Sequence, residues 1–323
     1  MSHIKTISMN TNRATAAPPR KKSYFHRLGK QYQLLLMSVP FILILALFSY
    51  VPLWGWIMAF QNYSVGKGIM RSPFVGFEKF VQLFQDETFY HVLRNTLAMS
   101  MMSLISGFIG AIVLALLLNE VRKHFFKRTI QTITYIPHFV SWVVIANIVL
   151  ITLSPDGGIV NDLLMKFGII DQPIYFMAKG TWFWFIHTAA GLWKELGWST
   201  IIYLAVLAGV NSELYEAAEV DGAGRFQKMW HISIPGILPT AVLLLILSTG
   251  NIIATGYESQ FLLGNGLVID YSQVLDLYAL DYSFSIGEYS YGVAISMFKS
   301  IVSIILVVGV NWIAKKLTDV KAF

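Results

Sequence analysis

The chain contains no cysteine among its 323 residues. This absence excludes disulfide bonds and cysteine-ligated metal sites. Charge is also scarce, because 13% of the residues are charged and 55% are hydrophobic, whereas soluble domains carry roughly 25% charged residues. So little polar material cannot cover a water-facing globule of this size. The composition therefore predicts a protein embedded in the lipid bilayer.

Motifs of catalysis and cofactor binding are missing as well. No stretch reads G-x-x-x-x-G-K-[ST], so the chain has no P-loop for ATP. The seven histidines show no metal-ligand spacing, and no serine lies in a recognisable acid–base motif. We therefore expect a non-catalytic chain with no cofactor or metal of its own.

Six apolar segments reach the length of about 20 residues that a bilayer-spanning helix needs. They cover residues 34–58, 91–118, 130–152, 182–208, 236–256 and 289–314. The first is too long for a signal peptide and lacks a cleavage site, so it predicts an uncleaved membrane helix. The sequence thus divides into a basic, disordered N-terminus (1–33), a six-helix domain (34–317) and a short tail (318–323).

The basic residues give this all-α protein an orientation. They gather at both termini and in segments 119–129 and 209–235, whereas segments 59–90, 153–181 and 257–288 are longer and richer in acidic and aromatic residues. Basic loops mark the cytoplasmic side of a membrane. The net charge of +6 therefore indicates a membrane surface and no nucleic acid, and it places both termini in the cytoplasm.

One predicted cytoplasmic loop, 209–235, interrupts the apolar chain with the stretch YEAAEVDGAGRFQKMWHISIPGILP. Residues 213–220 are strong helix formers, and Asn211 or Ser212 is a suitable N-cap. Acidic residues in the first turn favour the helix dipole. We expect a short helix here.

The same loop then changes direction. Gly222 and Gly224 break the first helix, and a second short helix over about 225–231 is expected to end before Pro235. Two short helices at an angle on the membrane surface form a knob that suits docking of a cytoplasmic partner.

The spacing in this loop resembles the EAA loop of permeases in bacterial ATP-binding-cassette importers. Here it reads Glu216-Ala217-Ala218, three residues, Gly222, and then nine residues to Ile232-x-Ile234-Pro235. The triplet Asp221-Gly222-Ala223 resembles the sugar-importer branch. Further stretches resemble the large-oligosaccharide permease subfamily, at 75–97, 135–164, 192–218, 258–265 and 289–317.

The resemblance implies a type I importer permease fold with six transmembrane helices in a bacterial cell membrane. It implies a coupling role toward the ATPase for Glu216, Ala217, Ala218, Asp221, Gly222 and Ala223. The implied partners are a second, homologous permease, two cytoplasmic ATPase subunits that hold ATP and Mg²⁺, and an extracytoplasmic solute-binding (lipo)protein. The implied substrate is an oligosaccharide.

Polar groups inside membrane helices predict the substrate path, because they are costly unless they face a cavity or a partner. By the resemblance, one side of the path comes from the fourth span, and the other comes from the helix after the coupling loop and the residues that directly follow it. The candidates are Trp193, Lys194, Gly197, Thr200, Asn251, Tyr257 and Glu258.

Other roles remain open for these residues. Lys194 and Glu195 are adjacent and therefore point about 100° apart on a helix, so they cannot both face one pore. Lys194 is also a candidate to pair with Glu258 or with the partner permease. Asn251 is a candidate to join helices by a hydrogen bond, and Trp193 is a candidate to pack within the bundle.

Two rival functions use the same features differently. An ion-driven secondary transporter would work through Lys194, Glu195 and Glu258, but it needs no coupling loop, and the internal repeats common in such transporters are not found in this sequence. A membrane scaffold would explain the knob but not the polar intramembrane residues.

Overall fold

The computed structural model describes residues 32–254 and 256–318. The predicted disordered N-terminus and the predicted tail lie, except for residues 32–33 and 318, outside the described residues. The described part is helical and contains no strand, only an isolated bridge between Gln61 and Phe74. The chain divides into two units, with the boundary between Trp54 and Gly55, and the features below belong to the second unit, apart from residues 32–54 of the first helix.

The helices that build the fold are labelled in chain order. They are α1 (Tyr32–Phe60), α2 (Glu78–Gln85), α3 (Glu87–Glu120), α4 (His124–Tyr135), α5 (Trp142–Thr152), α6 (Ile159–Lys166), α7 (Gly180–Ala208), α8 (Ser212–Val220), α9 (Arg225–Thr249), α10 (Glu258–Leu263), α11 (Leu275–Leu280) and α12 (Tyr289–Thr318). Among the described residues four helices are long and apolar enough to cross a membrane, and six spans result if each of two bent helix pairs counts as one.

The third predicted span, 130–152, is not one continuous helix. The chain bends by 102° between His124–Phe139 and Trp142–Thr152. Pro137 lies in a 3₁₀ turn after α4, and Val140 and Ser141 then adopt extended backbone conformations. The expectation of an unbroken helix was wrong here because Pro137 cannot donate to the helical ladder.

The fifth predicted span starts earlier than expected. α9 runs without interruption from Arg225 to Thr249, so the prediction of a short helix that ends before Pro235 was wrong. A π-helical turn at Met229–Ser233 precedes Pro235. Pro235 follows in the first turn of the regular helix, a position that tolerates the missing N–H. The loop and the membrane helix are therefore one element.

The central pair of the bundle is α3 and α7, which pack side by side over much of their length. Small residues on α3 allow the close approach, since a Cβ added to Gly110 would lie 2.9 Å from Leu196 Cδ1. Ala111 and Ala115 are buried against Tyr203 and Leu207 of α7. Close packing of small residues is the usual basis of helix association in a bilayer.

A second set of contacts anchors the segment between α9 and α12 onto the start of α3. The Asn95 amide donates to the carbonyl oxygens of Asp270 (2.8 Å) and Gln273 (3.1 Å). Asp86, the N-cap of α3, accepts hydrogen bonds from the hydroxyls of Tyr278 and Tyr291. Burial alone would raise the pKa of Asp86, but hydrogen bonds from Tyr278, the Thr88 N–H and Tyr291 outweigh burial and lower that pKa. The anchored segment carries α10 to one end of the bundle.

Candidate functional site

The exposed loop between α7 and α9 is built by local hydrogen bonds. Asn211 is the N-cap of α8, and its side-chain oxygen accepts from the Glu213 N–H at 3.0 Å. The Ala223 N–H donates to the Ala218 carbonyl at 2.8 Å, which closes the C-terminal end of α8. Gly222 takes a φ of +79° there, the left-handed conformation that favours glycine. The short helix and its glycine turn lie where the sequence predicts them.

Side-chain contacts fix this loop to the membrane helix that follows. The Tyr215 hydroxyl lies 2.9 Å from the Ser233 hydroxyl, and Lys228 Nζ lies 3.5 Å from a carboxylate oxygen of Glu219. These contacts tie α8 to α9 across the glycine turn. The loop therefore moves with α9.

The exposed surface of the loop carries large apolar side chains beside charged side chains of both signs. Val220 is 88% exposed and Phe226 is 82% exposed, and Glu216 and Asp221 are exposed near them. Ala217 is exposed, and Ala218 and Ala223 are half-buried. Such an apolar patch with a polar rim is typical of a protein-binding surface. The coupling residues predicted from sequence do not include Val220 and Phe226, although apolar residues in a charged turn were a visible signal.

A cavity of about 680 Å³ lies between α3, α5, α7, α9 and α10. One face of α7 contributes residues at helical spacing, with Gly191, Glu195 and Trp198 near its middle. Asn251, just after α9, lies on the opposite wall. The cavity combines aromatic, hydroxyl and amide groups, which suit a polyhydroxylated ligand.

The two ends of the cavity differ in polarity. Toward α10, Ser259 donates to Gln260 Oε1 at 2.9 Å and therefore accepts from His187 Nε2, also at 2.9 Å. Nδ1 of this buried ring has no hydrogen-bond partner. Phe108 and Leu244 line the end toward the loop between α7 and α9. The α10 end thus carries the hydrogen-bonded His187, Ser259 and Gln260 side chains.

The break between α4 and α5 is held by side chains of α7. Lys194 Nζ donates to the carbonyl oxygens of His138 (2.6 Å) and Val140 (2.8 Å), which the break leaves without helical partners. His138 Nδ1 lies 2.8 Å from Glu195 Oε2, and the His138 ring stacks on Trp198 with centroids 4.4 Å apart. We call His138, Lys194, Glu195 and Trp198 the elbow clamp.

The predicted path residues of α7 do not line the cavity. Trp193 is half-exposed on another face of the helix, and Lys194 is buried in the elbow clamp. Gly197 packs against α4, where an added Cβ would meet the Thr134 carbonyl oxygen at 2.1 Å. Thr200 is fully buried and donates to the Leu196 carbonyl within its own helix. The expectation that Lys194 and Glu195 face different surroundings is confirmed, because Glu195 alone of the two lines the cavity.

The other predicted path residues do reach a cavity. Asn251 lines the large one, and Tyr257 and Glu258 line a smaller one of about 430 Å³ that shares Trp142 and Ser259 with it. Sequence reasoning missed Trp142, His187, Ser248, Ser259 and Gln260 on these walls. In the sequence, these five residues stand out only as polar or aromatic side chains inside or beside an apolar span. Among the described residues no group of three or more metal-ligating side chains is found.

Comparisons with known proteins cover most of the chain. Residues 107–319 match the family model for the binding-protein-dependent transport system inner membrane component. Protein LplB of Bacillus subtilis (strain 168) is 42% identical over 294 residues, 91% of this chain and 92% of that protein. The polygalacturonan/rhamnogalacturonan transport system permease protein YteP of the same organism is 41% identical over 297 residues, which is 92% of each chain.

A solved structure has a similar fold. The chain resembles one in the crystal structure of a bacterial alginate ABC transporter in complex with an alginate pentasaccharide-bound periplasmic protein. The TM-score is 0.85 at 34% sequence identity, over 93% of this chain and 99% of that chain.

Proposed function

We propose a role for each part of this chain from one premise: the chain belongs to the family of binding-protein-dependent transport system inner membrane components. It is a sugar permease of an ATP-driven importer with the type I fold. The loop between α7 and α9 receives movement from ATPase subunits, and the cavity forms one wall of an oligosaccharide path.

The continuity of α9 is the observation that carries this assignment. The helix begins at Arg225, inside the exposed loop, and ends at Thr249, beside the cavity residues Ser248 and Asn251. Movement of the loop therefore reaches the cavity wall along a single helix. Rigid elements of this kind convert closure of a partner into rearrangement of a binding site.

The partners follow from the same premise. A second permease supplies the opposite wall of the path, and two ATPase subunits bind ATP and Mg²⁺ at sites outside this chain. The apolar patch around Val220 and Phe226 seats in an ATPase, with Glu216 and Asp221 on its rim. The alginate transporter structure in complex with a sugar-bound periplasmic protein supports delivery of oligosaccharide by a binding protein.

The orientation belongs to the proposal too. Basic residues on the side of the 209–235 loop place that loop and both termini in the cytoplasm. In this orientation the anchored segment between α9 and α12, with α10, faces the outside. The α10 end of the cavity then opens toward the incoming sugar.

Reconstitution of the complete importer tests this assignment directly. In proteoliposomes that contain the binding protein, oligosaccharide uptake is expected to require ATP on the side of the 209–235 loop. A cysteine at Arg225, in this cysteine-free chain, should react with an impermeant maleimide from that same side. Uptake driven by an ion gradient without ATP would restore the secondary-transporter alternative.

Aromatic stacking on sugar rings gives a second prediction. Trp198→Ala removes an indole from the cavity wall, whereas Trp193→Ala removes one from another face of the same helix. Loss of one stacking contact costs on the order of 1 kcal/mol, so Trp198→Ala should raise the apparent KM for uptake about fivefold. Trp193→Ala is the matched control. A larger effect from Trp193 than from Trp198 would return Trp193 to the substrate path and move Trp198 out of it.

A further inference from the structure

The cavity wall of this chain carries an uneven set of charges. Among the described residues that line the large cavity, Glu195 is the one with a formal charge at neutral pH. In the smaller, adjoining cavity the corresponding residue is Glu258. Neither wall includes a described lysine or arginine. The charged groups on the walls of the two cavities are therefore both anionic.

The carboxylate of Glu195 is exposed to the cavity and is held in a fixed position. Its side chain is 45% exposed, and His138 Nδ1 lies 2.8 Å from its Oε2. The stack of His138 on Trp198 prevents the imidazole from rotating away. The elbow clamp thus presents a carboxylate oriented by its neighbours.

The nearest cation, Lys194, forms a salt bridge with Glu195 but is buried behind the cavity wall. Lys194 Nζ lies 3.7 Å from Glu195 Oε1, but the Lys194 side chain is only 10% exposed. Its two short hydrogen bonds go to the carbonyl oxygens of His138 and Val140. Lys194 therefore lies behind the wall, and a ligand in the cavity meets the carboxylate and not the ammonium group.

From this geometry we infer that Glu195 sets the charge preference of the path, so that this wall favours neutral oligosaccharides over uronate-containing ones. The inference deepens the proposed importer function and rests on it. A uronic acid is ionised at neutral pH, and two carboxylates held close together repel each other, more strongly where water is partly excluded. Discrimination by such repulsion is a common basis of specificity.

This preference for neutral sugars contrasts with the acidic sugars for which two similar proteins are named. Alginate is an acidic polysaccharide in the description of the similar solved transporter, and the permease YteP is named for polygalacturonan and rhamnogalacturonan. The charges on this wall favour the opposite class of sugar. Glu258 strengthens the preference where the smaller cavity meets the larger one.

A matched pair of sugars tests the inference in the complete importer. Uptake of trigalacturonate is compared with uptake of its carboxyl-reduced counterpart, trigalactose, and a panel of such pairs covers other linkages. Because the binding protein has its own preference, each importer is described by the ratio of its uronate uptake to its neutral-sugar uptake. The measured quantity is this ratio for the variant divided by the same ratio for the wild type. For Glu195→Gln this quotient should rise about tenfold, since the repulsion is removed. The Gln amide can accept from His138 or donate to it, so this hydrogen bond can form with either tautomer of His138.

Two further variants make the result decisive. Glu87→Gln removes an exposed carboxylate at the first turn of α3, away from both cavities, and should leave the ratio unchanged. If Glu195→Gln does not assemble, Glu258→Gln carries the test, with a smaller rise of about threefold.

The outcomes separate the two levels of the claim. An unchanged or lowered ratio in a complex that still transports sugar would overturn the inference and leave the importer function intact. Failure of the wild type to take up either member of any pair with ATP would contradict the proposed function, and the inference with it.

Discussion

Replacing Gly222 by valine is expected to remove most ATP-dependent uptake while the permease still inserts in the membrane. Gly222 has a φ of +79°, a conformation that costs an L-residue about 1–2 kcal/mol and is a clear outlier for a β-branched one. The glycine turn must rearrange, which displaces α8 from α9 and breaks up the apolar patch. Co-purification of the ATPase subunits, measured beside uptake, should fall roughly tenfold.

Two companion variants identify the cause of this loss. A Cβ at position 222 has no atom of the described residues within 4 Å apart from its chain neighbours, so the steric conflict that this variant tests is one with a partner. Gly222→Asn tolerates the left-handed conformation and should retain most uptake if backbone strain is the cause. If asparagine is as harmful as valine, the side chain obstructs docking itself. Full assembly and full transport in the valine variant would show that this loop is not the coupling element.

The same loop offers a test of charge. Glu216 is exposed on the rim of the apolar patch, and we propose that it accepts hydrogen bonds from the ATPase. Loss of a charge-assisted contact typically costs about 1.5–3 kcal/mol, so Glu216→Ala should weaken the ATPase contact without altering the turn at Gly222.

Gly197→Ala is expected to give the largest loss of stability in the membrane domain. A Cβ here would lie 2.1 Å from the Thr134 carbonyl oxygen and 2.4 Å from its carbon. Because backbone atoms cannot turn aside as a side chain can, α4 must move away from α7. Overpacking of this kind costs about 1–3 kcal/mol, and the shift would also pull His138 from Lys194. The unfolding temperature of the purified permease should fall on the order of 5 °C.

Gly191→Ala is the control on the same helix. Its added Cβ would meet only a ring carbon of Trp142 at 3.8 Å, an ordinary van der Waals contact. The unfolding temperature of this variant should stay within about 1 °C of the wild type. Equal stability of the Gly191 and Gly197 variants would mean that α4 and α7 are not in backbone contact in the membrane.

Short-range chemistry explains which features could be predicted from the sequence. The N-cap by Asn211 and the turn at Gly222 depend on residues within one or two turns of each other, so the sequence contains all the information that they need. Five of the six predicted spans have continuous helical counterparts, because apolar length alone specifies them.

Features that depend on distant residues could not be predicted in this way. The break after α4 is stabilised by Lys194, which is 56 residues from His138 in sequence. Nothing near Pro137 indicates that a cation is available to satisfy the freed carbonyl groups. A proline in a membrane helix causes a small kink or a full break depending on such partners.

The substrate path shows a related difficulty, the rotational phase of α7. Each residue advances the helix by about 100°, so Trp193, Lys194 and Glu195 face three different surroundings. Composition does not reveal which of them meets the cavity, because the phase is set by packing of α7 on α3 and α4. Gly197 illustrates the point, since a small residue expected near substrate serves close helix contact instead.

The structure of α9 has a mechanical consequence for the importer. Its 25 residues extend over about 37 Å, and the irregular positions all lie within the first 15 residues counted from the loop. These are the π-helical turn at Met229–Ser233 and the prolines Pro235 and Pro239, each of which interrupts the regular hydrogen-bond ladder. The ten residues after Pro239, which end beside the cavity, form a regular and stiffer helix. The helix therefore bends most easily near the loop, so in the proposed importer a tilt of the loop would displace Ser248 through the stiff section, whose own curvature would not change.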